Sequence, residues 1–144
     1  MKSRIYLDNC CFNRPFDDQE YLKIRLETEA KLFIQQAILL GKYELVWSYI
    51  LEFENDQNPY EERRSAIRDW KMYANVFCTE NEEIIMYAES LSKYGIKVKD
   101  ALHIACAVNA NADLFITTDK KLINTTIPEI RVVNPLTVIN ELNN

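Results

Sequence analysis

The sequence predicts an α/β protein, a central and mainly parallel sheet flanked by helices. Three observations predict it. Short apolar runs alternate with segments of helical spacing along the whole chain, the signature of strands joined by crossover helices. Two of those runs lead straight into an aspartate, Asp8 after RIYL and Asp119 after LFITT, and the C-terminal ends of parallel strands are where such folds open their ligand crevice. Only two glycines, Gly41 and Gly95, punctuate 144 residues, so most of the chain should be regular structure.

The elements follow in order. RIYL reads as the first strand, and the turn-rich DNCCFNRPFDDQ follows it. From Tyr21 to Leu40 the apolar positions Leu22, Leu26, Ala30, Phe33, Ala37 and Leu40 form a helical stripe, which Gly41 stops as a C-cap glycine does. YELVW reads as the second strand, and Ser48 as the N-cap of the helix that carries Glu54. Pro59 ends that helix and starts another, from about Tyr60 to Ala74. NVFCT makes a third strand, and a helix from about Glu80 to Lys93 stops near Gly95. In KVKDALHIACAVNANA an apolar helix holds Asp100 in its first turn, where the positive helix end favours an acid. DLFITT is the clearest strand, DKKLINT a short helix, IRVV the last strand and PLTVINELNN a terminal helix starting at Pro135.

Length and composition bound the answer. At 144 residues, 48% hydrophobic and 27% charged, the chain is a single domain, 1–144, of ordinary globular composition. No apolar run approaches a membrane span, and MKSRIYLDN meets an acid too early for a signal peptide, so the expectation is a cytoplasmic protein that does not engage a membrane. Cys10, Cys11, Cys78 and Cys106 show no CxxC spacing and the sole histidine, His103, is not near a cysteine pair, which argues against zinc and for reduced thiols. The formal charge of −5 runs against the usual basic balance of nucleic-acid binders. Part of it is the acidic set described next, which a bound cation would offset. The basic residues also cluster, Arg63, Arg64, Arg68 and Lys71 in one run and Lys93, Lys97 and Lys99 in another; they either track a phosphate backbone or form solvated faces.

Four acids stand out: Asp8, Glu54, Asp100 and Asp119. Each aspartate taken singly could be a cap or turn residue. Their shared arrangement, two after strands and one at a helix start, calls for more. Carboxylates cannot crowd together without something positive between them, and a hard divalent cation suits oxygen ligands. Glu52 and Glu54 lie about 200° apart on a helix, so only one of them can face such a site.

IYLDN, WSYILEFE, KDALHIACA and ADLFITTD resemble, in order and spacing, the four blocks of the PIN domain, the PilT N-terminal nuclease family, and together they span residues 4 to 119. The opening DNCCFNRPFDD is similar to a branch of stand-alone, VapC-like PIN proteins. The resemblance implies a three-layer Rossmann-like PIN fold and a divalent-metal-dependent endoribonuclease, in which carboxylate-held Mg or Mn activates water to hydrolyse RNA phosphodiester bonds. By position it assigns Asp8, Glu54, Asp100 and Asp119 as the catalytic, metal-holding acids, and its spacing selects Glu54 over Glu52. It also implies a toxin of a toxin–antitoxin pair, with an antitoxin protein and a homodimer as expected partners alongside RNA.

Around this set, Asn9, Arg14, Lys99 and Thr118 are the substrate-binding candidates. Asn9 either hydrogen-bonds a water or phosphate or shapes the turn. Arg14 offers a guanidinium matched to phosphate, with a salt bridge to Asp17 or Asp18 as the alternative. Lys99 either binds substrate or is solvated, and Thr117 and Thr118 support Asp119 or contact phosphate. His103, three residues after Asp100, is read as structural before catalytic. Trp47, Trp70 and Phe115 read as core. Two other classes stay open: a catalytically weak PIN-like module that binds RNA or protein, and an unrelated phosphotransfer domain. Against the latter, Asp8 is followed by Asn9 and Cys10, so the DxD pair of a haloacid-dehalogenase-type phosphatase is missing.

Overall fold

In the computed structural model, which describes residues 2–142, five strands form one sheet in which every neighbouring pair is parallel. The chain runs β1 (Ser3–Leu7), α1 (Asn9–Asn13), α2 (Leu22–Leu39), β2 (Tyr43–Ser48), α3 (Tyr49–Asp56), α4 (Glu61–Arg68), β3 (Val76–Cys78), α5 (Glu82–Ser90), α6 (Val98–Asn109), β4 (Leu114–Ile116), α7 (Lys120–Ile123), β5 (Arg131–Val133) and α8 (Pro135–Leu142). The strand order is β3-β2-β1-β4-β5. The chain leaves β1 in one direction to build β2 and β3, then returns to the other side of β1 for β4 and β5. The junction of β1 and β4 is therefore the topological switch point, and a crevice opens at its C-terminal end.

Burial explains why β1 lies in the middle. Ile5, Tyr6 and Leu7 are all fully buried, an unbroken run that needs cover on both faces. Ile5 stands level with Leu45 of β2 and Leu114 of β4, and Tyr6 stacks on Phe115 of β4 with ring centroids 5.2 Å apart. The helices pack in two groups, α2 with α8 and α6 with α3 and α5. Gly41 closes α2 at φ +75°: its N–H bonds Ile38 O and the Lys42 N–H bonds Ala37 O, the paired C-terminal lock in which glycine carries no Cβ penalty.

Three details differ from the sequence reading. The helix expected from Tyr60 to Ala74 stays α-helical only to Arg68, and residues Asp69–Tyr73 tighten into a 3₁₀ turn. Likewise the helix expected to reach Lys93 is α-helical to Ser90 and 3₁₀ over Leu91–Tyr94, before Gly95 at φ +75°. The third difference is a face. Of the apolar stripe on α2, Ala30 and Ala37 are buried, but Leu22, Leu26, Phe33 and Leu40 are exposed. The inward positions belong instead to Glu27, Lys31, Ile34, Gln35 and Ile38. Glu27 can sit there because Arg14 and Asn134 satisfy its two oxygens at 3.0 and 2.5 Å. The terminal helix begins at Pro135 as expected, while Asn143 and Asn144 lie outside the described residues.

Candidate functional site

Asp8 follows β1 directly and is buried. Its backbone N–H continues the sheet by bonding Ile116 O at 2.9 Å. Its side chain caps α1, Oδ1 accepting the Asn9 N–H at 2.8 Å, while Oδ2 accepts the Thr117 hydroxyl at 2.8 Å. Capping and site-building are thus the same geometry. Asp119 repeats it one strand over: Oδ1 caps α7 by accepting the N–H groups of Lys121 and Leu122, and the Asp119 N–H reaches back to Thr117 Oγ1 at 3.1 Å. Thr117 therefore joins the two aspartates. Thr118, the other threonine, is buried and gives its N–H to Cys10 Sγ at 3.4 Å.

Glu54 comes from α3, which begins where Ser48 at the end of β2 accepts the Leu51 N–H and caps the helix. Oε1 of Glu54 lies 2.9 Å from Nε2 of His103, and Oε2 lies 3.7 Å from the Lys99 amine. Glu52 points elsewhere, into a 2.8 Å pair with Lys71. Burial pushes the Glu54 carboxyl up, but the His103 hydrogen bond and charge, with Lys99, outweigh it and hold the carboxyl below its ordinary value.

His103, 1% exposed, is locked on its other side. Nδ1 lies 2.6 Å from the Tyr6 hydroxyl, which lies 2.6 Å from Ser48 Oγ. An ionised Glu54 accepts only, so Nε2 carries the proton toward it. Nδ1 shares its hydrogen bond with the Tyr6 hydroxyl, which shares another with Ser48 Oγ. This Ser48–Tyr6–His103–Glu54 chain orients one carboxylate through three buried groups. Tyr6 and Ser48 were not singled out as supports in the sequence, since nothing local links positions that meet only across the sheet.

Asp100 occupies the first turn of α6, half-buried. Burial raises its carboxyl, and the charges of Asp8, Asp119 and Glu54 raise it further against the opposing His103. The four acids therefore share one electrostatic neighbourhood. Asp100 and Asp119 line a cleft of about 200 Å³ together with Lys97 and Lys121. Donor atoms of Asp8, Glu54 and His103 lie within 4.8 Å of one another. With the His103 proton already directed at Glu54, the donors left for a cation are carboxylate oxygens. A hard divalent ion fits that set. Beside it, the Asn9 side-chain oxygen is buried without a hydrogen-bond partner among the described residues, one more hard acceptor.

The remaining candidates fall on both sides of their alternatives. Arg14 is engaged by Asp17 at 2.9 Å and Glu27 at 3.0 Å, which is the ion-pair reading and leaves little guanidinium for phosphate. Lys99 leans on Glu54 while half-exposed. Cys10 brings a thiol no sequence signal singled out, its Sγ 3.5 Å from Asp8 Oδ2 and 3.4 Å from Thr117 Oγ1.

Known proteins share this architecture. The PIN domain profile matches residues 5–127, and the chain belongs to the PIN domain family. Among solved structures it is similar to a chain of VapBC2 from Rickettsia felis, in a complex bound to a DNA fragment from their promoter (TM-score 0.58, 15% identity, 91% of this chain and 98% of that one). It is similar to a chain of VapBC-1 from nontypeable Haemophilus influenzae at TM-score 0.55 and 19% identity, covering 92% and 98%. DNA-bound VapBC from Salmonella typhimurium gives 0.52 and 14%, covering 94% and 99%. At these identities the likeness is one of fold. No curated protein matches the chain. Among the described residues no helix is long and apolar enough to cross a membrane.

Proposed function

We propose that this protein is a divalent-metal-dependent endoribonuclease whose site is held by Asp8, Glu54, Asp100 and Asp119. The observation that carries the reading is the convergence of these acids at the β1–β4 switch point, where burial and mutual repulsion keep the Asp100 carboxyl above its ordinary value. Membership of a family whose members are typically metal-dependent nucleases supports the same conclusion. Bound Mg or Mn would supply a water acidic enough to attack a phosphodiester and charge to stabilise the leaving oxygen.

The chain's own contributions are positional. Thr117 fixes the outer oxygen of Asp8, the β1 and β4 ends fix the spacing of Asp8 from Asp119, and His103 turns Glu54 toward them. Lys97 and Lys121 at the cleft offer positive charge to a phosphate backbone approaching the acids. A second protein chain, an antitoxin, is the expected partner, because the three solved neighbours come from VapBC assemblies.

The test is cleavage of single-stranded and structured RNA by the purified chain. Activity should require Mg²⁺ or Mn²⁺, stop on chelation, and vanish in Asp8→Asn and Asp100→Asn. A protein that binds neither ion by calorimetry, with variants indistinguishable from wild type on RNA, would overturn the reading.

A further inference from the structure

On the side of α2 that carries Glu27, Lys31 and Gln35, the fold leaves an amine with no carboxylate beside it and a buried amide nitrogen with no hydrogen-bond partner among the described residues. Lys31 is 4% exposed, and its amine lies 5.4 Å from the Phe12 ring centroid and 5.9 Å from that of Trp70. No carboxylate pairs with it among the described residues. Burial lowers the amine to about 8, offset only by the nearby Cys11 thiol. One turn on, Gln35 is 6% exposed and its Nε2 has no hydrogen-bond partner among the described residues. Both side chains line the same cavity of about 160 Å³, walled by Phe12, Phe16, Ile67 and Trp70.

An orphaned amide N–H, beside an ammonium that only two ring faces compensate, is costly unless an acceptor joins them. The acceptor has to be anionic, since the ammonium has no counter-charge, and it has to bring an apolar body, since the walls are rings and hydrocarbon. The pocket, about 160 Å³ and open to solvent on one side, has room for a single ring. A small inorganic anion would leave those walls wet. We propose that this cavity, on α2 opposite α1 and α4, binds a small aromatic carboxylic acid, its carboxylate on Lys31 and Gln35 and its ring against Phe12 and Trp70. The site is independent of the acidic cluster. Its donors are already desolvated and held in place by the fold, so a ligand does not have to order them.

Benzoate is the probe, titrated into the full chain by calorimetry and by Trp fluorescence, with benzamide, acetate and inorganic phosphate as companions. The expected result is saturable one-to-one benzoate binding with a dissociation constant on the order of 1 mM or tighter. Benzamide keeps the ring and loses the charge; acetate and phosphate keep the charge and lose the ring. Each should bind at least ~10-fold more weakly than benzoate. Lys31→Met removes the charge at nearly constant volume, and Ala66→Trp, at an exposed position lining the cavity, fills it without touching either donor. Both should weaken benzoate by ~10-fold or more. The proposal falls if benzoate shows no saturable binding, if Lys31→Met binds it as tightly as wild type, or if acetate matches it. Those results would leave Lys31 as a structural cation over two rings.

Discussion

His103 and Glu54 meet at 2.9 Å although 49 residues separate them, and the contact holds Glu54 near Asp8 while Glu52 pairs with Lys71. The histidine approaches from α6 and the glutamate from α3, so the pair joins the two helices over the end of the sheet. Glu54→Gln should lower RNA cleavage and Mn²⁺ affinity by ~100-fold or more, whereas Glu52→Gln, which loses only a surface pair with Lys71, should stay within about twofold. Matched kinetics and metal titrations on the two variants check it; equal losses would refute the assignment.

The support behind that pair can be tested separately. Tyr6→Phe deletes the hydroxyl that lies between Ser48 and His103 and leaves a buried ring nitrogen without its hydrogen-bond partner. It should destabilise the fold by about 1–3 kcal/mol in urea. His103→Gln should weaken Mn²⁺ by ~10–100-fold, because it loosens a carboxylate without removing it.

Asp100 sets a pH dependence in the metal-free protein. Its folded carboxyl sits above the ordinary value, so the folded state holds that proton more tightly than the unfolded chain. The stabilisation it gives is full below the unfolded value and is lost as pH rises through the folded one. At neutral pH the ionised group is therefore a cost. Asp100→Asn should raise the melting temperature of the metal-free protein and gain less from added Mg²⁺ than wild type does. Thermal melts with and without the ion would show it; a variant less stable than wild type without metal would contradict it.

Lys31 sets a second window. Its amine is lowered from 10.5 to about 8, so below that value the buried charge costs stability. Stability should rise as pH climbs from about 8 toward the unfolded value. Lys31→Met should lack that rise and exceed wild type at pH 7 by about 2–3 kcal/mol, the two rings under the ammonium absorbing part of the difference. Urea midpoints across that range measure it, and parallel curves for the two proteins would exclude it.

Arg14 offers a test between ion pairing and phosphate contact. Glu27 is 0% exposed and depends on Arg14 for the only cation beside it among the described residues. Arg14→Met should cost about 3–5 kcal/mol by leaving that carboxylate uncompensated. A variant of wild-type stability with weakened RNA binding would instead place the guanidinium on substrate.

How far the sequence reached depends on the range of the interaction. Strands β1 and β4 and the capping roles of Ser48 and Gly41 are written in neighbouring residues, and the structure contains them. The ends of α4 and α5 were not readable, because an α-turn and a 3₁₀ turn differ by one residue in hydrogen-bond span and scarcely in composition. The inward face of α2 was misread for a different reason. Glu27 and Lys31 look like solvated residues until Arg14, Asn134 and the rings of Phe12 and Trp70 arrive from distant parts of the chain. The four acids could be picked out singly, but the Ser48–Tyr6–His103 support could not, as it exists only once the sheet and α6 are assembled.

The hydrogen bonding of β1 and β4 does not stop where the strands do. The Asp8 N–H holds Ile116 O, the Thr117 N–H holds Val133 O, and the Asp119 N–H holds the Thr117 hydroxyl. Asp8 and Asp119 are thus tied to the hydrogen bonding of the sheet. In hydrogen exchange their amides should belong to the slow class that opens only when the whole molecule does. Local fraying then cannot separate these two aspartates, and so offers no escape from their repulsion. The strain of holding them together is carried by global stability, to be released by a cation or by complete unfolding.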